Sequence, residues 1–140
     1  MILRRLLLIS LFTMFYVCSI FAGDCQITVE ITGVRTNNGN VFVSIYSNES
    51  EMKKDDPYAL FVLPSQDIVL SQAVVLPQGE YVIAVYQDLN HNGELDTNFL
   101  GVPKEPIGMT NYNGGLRVSF DRLKVPVNNA TSKITVNIRN

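Results

Sequence analysis

The sequence predicts an all-β domain: an antiparallel β-sandwich of about seven strands, with a long loop after its central strand. Three observations predict it. Several short stretches alternate apolar and polar residues with a period of two, the mark of strands with one buried face. Clusters of Gly, Pro and Asn separate these stretches and supply tight turns. No stretch after residue 22 carries a convincing helical period. Short strands divided by turns are the pattern of antiparallel sandwiches.

The N-terminus is set apart from this domain. Arg4 and Arg5 precede an uncharged apolar run from Leu6 to Phe21, and small residues follow at Ala22 and Gly23. That order is expected of a secretory signal peptide over residues 1–22, cleaved after Ala22. The run is short for a bilayer span, which needs about 20 apolar residues, and no basic cluster follows it. Neither Cys18 nor Cys25 is preceded by the small residue that a lipoprotein signal wants. The domain, residues 23–140, is thus expected to be secreted or periplasmic, with no membrane span after cleavage. It keeps 9 basic against 13 acidic residues, a net charge of −4. An acidic domain without a basic cluster is a poor partner for nucleic acid or anionic lipid. Cys25 is its only cysteine, so no internal disulfide forms and the apolar core holds the fold.

Each element follows from local pattern. In Gln26–Thr32, Ile27, Val29 and Ile31 face one way and Thr28, Glu30 and Thr32 the other. Thr36–Asn40 is a turn around Gly39, and Val41–Tyr46 returns, so the two strands are expected to form a hairpin. Ser47–Pro57 is a charged excursion with room for one helical turn. Tyr58–Leu63 is a weak apolar segment, and Ile68–Leu76 a further strand. Tyr81–Tyr86 follows after a turn at Pro77-Gln-Gly79. Both its faces are apolar, which marks a central strand covered on each side. A loop then runs from Gln87 to Leu116. Arg117–Val125 reads as a strand carrying Val118, Phe120, Leu123 and Val125. A turn follows at Pro126–Asn129, and Lys133–Arg139 is the last strand.

The polar start of the long loop is the densest chemistry in the chain. Asp88, Asn90 and Asn92 place oxygen side chains at alternate positions, and Gly93 follows. This matches the D-x-[DN]-x-[DN]-G opening of calcium loops. Glu94 would offer its carbonyl, and Asp96 a carboxylate directly or through water. Position twelve of the helix-loop-helix version is Phe99 and a strand leads in, so this is not an EF-hand. Asp88, Asn90, Asn92, Glu94 and Asp96 are the candidate metal ligands. Two charged ligands imply weak, structural Ca²⁺ binding, near ~10⁻⁴–10⁻³ M. The alternative is a set of Asx-turns that bind nothing. No Cys and His cluster suits zinc.

Signs of catalysis are sparse. His91 is the only histidine, it lies between two candidate ligands, and no triad is built around it. No phosphate-cradling glycine motif occurs. Tyr46, Tyr58, Tyr81, Tyr86 and Tyr112 suit either a sugar groove or the core and its rim. Glu105 or Asn111 is expected to fold back onto the Asp88 loop.

Four segments resemble a known bacterial family. They are Gly39–Tyr46, Leu76–Tyr86, the signature Asp88–Asn98 with Gly101–Glu105, and Ser119-Phe120-Asp121. Together they resemble the DUF2141 family of exported domains of unknown function. Gln87 stands where the family pattern has histidine, and Met109-Thr110 where it has Phe-Ser. The resemblance implies a transthyretin-like or Ig-like sandwich, similar to carboxypeptidase-regulatory-like modules. It supplies no catalytic residues. The expected function is a non-enzymatic module that binds a protein or glycan at the cell envelope. The alternatives are a hydrolase of envelope polymers acting through Asp88, Glu94 or Asp96, and a purely structural accessory subunit.

Overall fold

A computed structural model describes residues 23–115 and 117–139; the expected signal peptide and Cys18 lie outside the described residues. Eight strands and two short helices follow in the order β1 (Asp24–Thr32), β2 (Asn40–Tyr46), α1 (Glu49–Lys54), β3 (Ala59–Pro64), β4 (Val69–Pro77), β5 (Gly79–Asp88), β6 (Ile107–Met109), α2 (Phe120–Leu123), β7 (Val125–Val127) and β8 (Lys133–Asn137). The strands form two sheets. One has three strands in the order β4-β1-β8; the other has the order β3-β2-β5-β6, with β7 also paired to β5. The all-β sandwich is therefore observed, with β5 central in the larger sheet and the long loop after it.

The core is the sum of the predicted inward faces. Ile27, Val29 and Ile31 of β1 and Val136 of β8 face Val41, Val43 and Ile45 of β2 and Ile83 and Val85 of β5. All are at most 2% exposed, and burial of each such side chain contributes about 1.5–3 kcal/mol. Cys25 is a free, buried thiol at the edge of this core. No helix among the described residues is long and apolar enough to cross a membrane.

Three expectations are corrected. β1 and β2 are not a hairpin: β1 pairs with β4 and β8, β2 with β3 and β5. A period of two tells which face is buried, not which strand is the neighbour. The connection from β1 to β2 instead crosses between sheets, and Gln87 holds it. The Gln87 amide is fully buried; it accepts from Arg35 N–H at 2.9 Å and donates to the Arg35 and Asn38 carbonyls at 2.6 Å each. The second correction concerns direction, because β1 and β8 are parallel. The third is Arg117–Val125, which is not one strand. Phe120–Leu123 is a helical turn and only Val125–Val127 is β. The step from Phe120 to Leu123 is three residues, a helical spacing, and the Phe120 N–H donates to Glu49 at 2.6 Å.

The sheets also meet along one edge. Ile107 and Arg139 exchange backbone hydrogen bonds of 2.9 and 2.7 Å, joining β6 to the residues just after β8. At the C-terminal end of β5, Gly39 of the crossing segment has φ +75°, and a Cβ there would lie 1.7 Å from the Asp88 carbonyl oxygen. That contact seats Asp88 at the start of the polar loop. Gly39→Ala is expected to lower unfolding free energy by about 2–4 kcal/mol, from φ strain and backbone collision together. Urea denaturation checks this, and a loss below about 0.5 kcal/mol contradicts it.

Candidate binding site

The two sheets differ in their outer faces. That of β1 and β8 carries Thr28, Glu30, Thr32, Lys133 and Thr135, and Lys133 pairs with Glu30 at 3.2 Å. That of the larger sheet is apolar: cross-strand neighbours place Val62, Phe42, Tyr86 and Ile107 in one row and Leu60, Ser44, Ala84 and Met109 in the next. Phe42 and Tyr86 stack with ring centroids 4.7 Å apart and planes 7° from parallel.

One end of this apolar face is covered. Tyr46, Val82 and Leu123 form a small second core, with Met52 of α1 and Phe120 of α2 packed on it. The Asn48 side chain caps α1 by accepting from the Glu51 N–H. Glu51 in turn accepts from Ser47 N–H at 2.7 Å, and this bond is the main cause holding its carboxyl below the usual range. At the other end the polar loop arches over the sheet, and the Tyr86 hydroxyl donates to the Gly93 carbonyl at 3.2 Å. Between the two covers lies an open cleft of about 340 Å³, within the range of small-ligand pockets. Ala84, Tyr86 and Met109 line its sheet side. Leu95, Val102 and Val118 line its loop side, and Tyr46, Tyr112 and Asp55 its helix side.

The wall of the cleft is held by two buried carboxylates. Asp88 is 3% exposed and Glu105 7%. Asp88 accepts from Gly93 N–H at 2.8 Å and Asn92 N–H at 3.2 Å. Glu105 accepts from Leu89 N–H at 2.9 Å and Asp96 N–H at 3.3 Å. The expected return of Glu105 onto the loop is therefore observed, whereas Asn111 turns away and donates to the Lys124 carbonyl at 2.9 Å. Lys104 N–H bonds the Asp96 carbonyl at 2.8 Å, which zips the two arms of the loop together.

The five candidate ligands divide. The amide heads of Asn90 and Asn92 meet Asp96, with nitrogens 2.5 and 2.9 Å from one carboxylate oxygen. Asp88 reaches them through the Asn92 backbone. Glu94 is exposed, and its N–H donates to the Asn92 side chain at 2.9 Å. Among the described residues no three acidic, His or Cys side chains form a metal-holding group. Asn90, Asn92 and Asp96 are oxygen-bearing side chains gathered in one place, but the Asn90 and Asn92 oxygens accept from the Asn92 and Glu94 N–H groups at 3.2 and 2.9 Å, and turning the amides to offer oxygen at Asp96 would break both turns. The loop is satisfied by its own Asx-turns. His91 has φ +61° and is exposed.

Three of the five tyrosines among the described residues, Tyr46, Tyr86 and Tyr112, belong to the cleft. Tyr81 lies in the core, its hydroxyl donates to the Pro77 carbonyl at 3.0 Å, and Tyr58 packs against it edge-on. A groove is one of the two readings that the tyrosines allow from sequence, but its place over β2, β5 and β6 was missed. The signal was present in Phe42, Tyr46 and Tyr86, large apolar residues on the face that ordinary strands give to water.

Glu105→Gln preserves volume but turns an NH₂ toward one backbone donor. It is expected to cost about 2–3 kcal/mol, while Glu94→Gln at the exposed neighbour changes stability by less than about 0.5 kcal/mol. Equal effects in chemical denaturation would mean that Glu105 braces nothing.

A family model described as an uncharacterized protein conserved in bacteria, DUF2141, matches residues 29–135. No curated protein and no solved structure matches the chain. The matched span runs from within β1 to within β8 and includes the cleft, the Asp88 loop and Glu105. The chain belongs to the DUF2141 family.

Proposed function

We propose that this chain is an exported, non-enzymatic β-sandwich module that binds a protein or glycan of the cell envelope through the cleft over β2, β5 and β6. The cleft carries the reading. Apolar surface of this kind is normally buried, and here two covers leave its centre open and lined by tyrosines, which suit binding because they combine an apolar body with a polar tip. Export is supported by the charge and hydropathy order of residues 1–22. The hydrolase alternative has less support, because both oxygens of Asp88 are engaged by backbone N–H groups. A purely structural subunit gives no reason for an open cleft.

A photo-crosslinking side chain at Val118, in the cleft, is expected to capture envelope material. The same group at Ser71, on the outer face of the other sheet, is expected to capture little. Equal capture at both positions, or none at Val118, contradicts the binding reading.

As part of the same reading, the Asp88–Asp96 loop is a weak Ca²⁺ site that stiffens the cleft wall, supported by the D-x-N-x-N-G order of Asp88 to Gly93 and by the gathering at the Asp96 carboxylate of Asn90 and Asn92, whose amides would have to turn to bind the ion. With a Kd near ~1 mM, 10 mM Ca²⁺ adds about 1.4 kcal/mol. This raises Tm by about 3–8 °C for a domain of this size. Asp96→Ala is expected to abolish the rise. A Tm indifferent to Ca²⁺ in the unmodified protein reduces the loop to structural turns.

A further inference from the structure

The charge of the cleft narrows what it can hold. Among the described residues that line it, Asp55 is the one charged group; no lysine, arginine or histidine is there. Asp55 stands at the C-terminal end of α1 with φ +52° and is exposed. One of its oxygens accepts from the Tyr46 hydroxyl at 2.6 Å. It takes part in none of the ion pairs formed by described residues. Arg122 does not line the cleft, although its guanidinium comes near Gly115 while donating to the Arg117 carbonyl at 3.2 Å.

The surroundings carry the same sign. Burial first, and then the charges of Asp88, Glu105, Asp55 and Glu94, push the Tyr86 hydroxyl up to about 12. The Tyr46 hydroxyl is raised first by burial and then by its bond to Asp55. Tyrosine faces and a carboxylate outside any ion pair of the described residues, set around an apolar hollow, are complementary to an organic cation, through cation–π attraction and direct charge. An anion would meet the Asp55 charge, and a neutral ligand would leave that charge to the Tyr46 hydroxyl and water alone.

We propose that the cleft holds a small organic cation, an ammonium group on an apolar stem, with Asp55 facing the charge and Tyr46, Tyr86 and Tyr112 packing against the stem. This rests on the reading of the cleft as the binding site, and adds the class of ligand.

The test is calorimetric titration of the whole exported domain at low ionic strength. The probes are phenethylammonium, its neutral analogue 2-phenylethanol and the anion phenylacetate. Phenethylammonium is expected to bind about tenfold or more tightly than 2-phenylethanol, to weaken as salt rises, and to exceed phenylacetate by more still. Asp55→Asn keeps a side chain that tolerates the left-handed backbone and can still accept from Tyr46. It is expected to remove that tenfold preference and leave 2-phenylethanol unchanged. Val118→Trp at the rim is expected to block all three probes. Equal binding of phenethylammonium and 2-phenylethanol overturns the cationic class while the cleft remains a site. Binding that ignores Val118→Trp, or no binding of any probe at millimolar concentration, overturns the inference and counts against the cleft itself. Tighter binding of a capped Ala-Lys-Ala peptide than of phenethylammonium overturns the free-ligand form and assigns the cation to a protein side chain.

Discussion

Two buried carboxylates, Asp88 and Glu105, are neutralised by no cation among the ion pairs of the described residues. A charge taken out of water is costly unless strong hydrogen bonds replace hydration. Here the donors are backbone N–H groups of the loop itself: Leu89, Asn92, Gly93 and Asp96. Bonds to an ionised acceptor are about twice as strong as neutral ones. The need to satisfy both carboxylates therefore dictates the path of the loop. Any rearrangement that frees one N–H leaves part of a buried charge unmet.

That constraint reaches the sheet. The braced loop stands over the outward faces of β5 and β6, and it places Leu95 and Val102 opposite Ala84 and Met109 across the cleft. The helices close the other end through Leu123, Phe120 and Met52. The sandwich core and this covered face are built from opposite faces of the same strands. The outer apolar face would not be tolerated bare, so the covers and the cleft between them belong to one arrangement. Asp55 and the tyrosines give that arrangement its chemical character.

Much of this was legible in the residues. Strand faces followed from alternation in β1, β2 and β8, and the two apolar faces of Tyr81–Tyr86 marked β5 as covered on both sides. What covers its outer side was not legible, because α2 is a single turn whose Phe120 and Leu123 look like strand residues out of phase. Strand partners were not legible either. The Thr36–Asn40 turn suits a hairpin, and only the buried Gln87 amide shows that the chain crosses between sheets there. At the loop, Asp88-x-Asn90-x-Asn92-Gly93 identified the turn geometry. The decisive acceptor, Glu105, lies 16 residues beyond the Leu89 N–H that it binds; its return to the loop is expected with Asn111 as the alternative, and local spacing at that distance does not choose between the two.

The central claim is that backbone N–H groups bound to Asp88 and Glu105 lock an otherwise solvent-facing loop into one shape. Amide hydrogen exchange read residue by residue tests it most directly. Leu89 and Gly93 are expected to exchange about 10- to 100-fold or more slowly than unstructured peptide, as part of one cooperative unit with the end of β5. Exchange of both amides at the free-peptide rate, while β5 stays protected, would contradict the account.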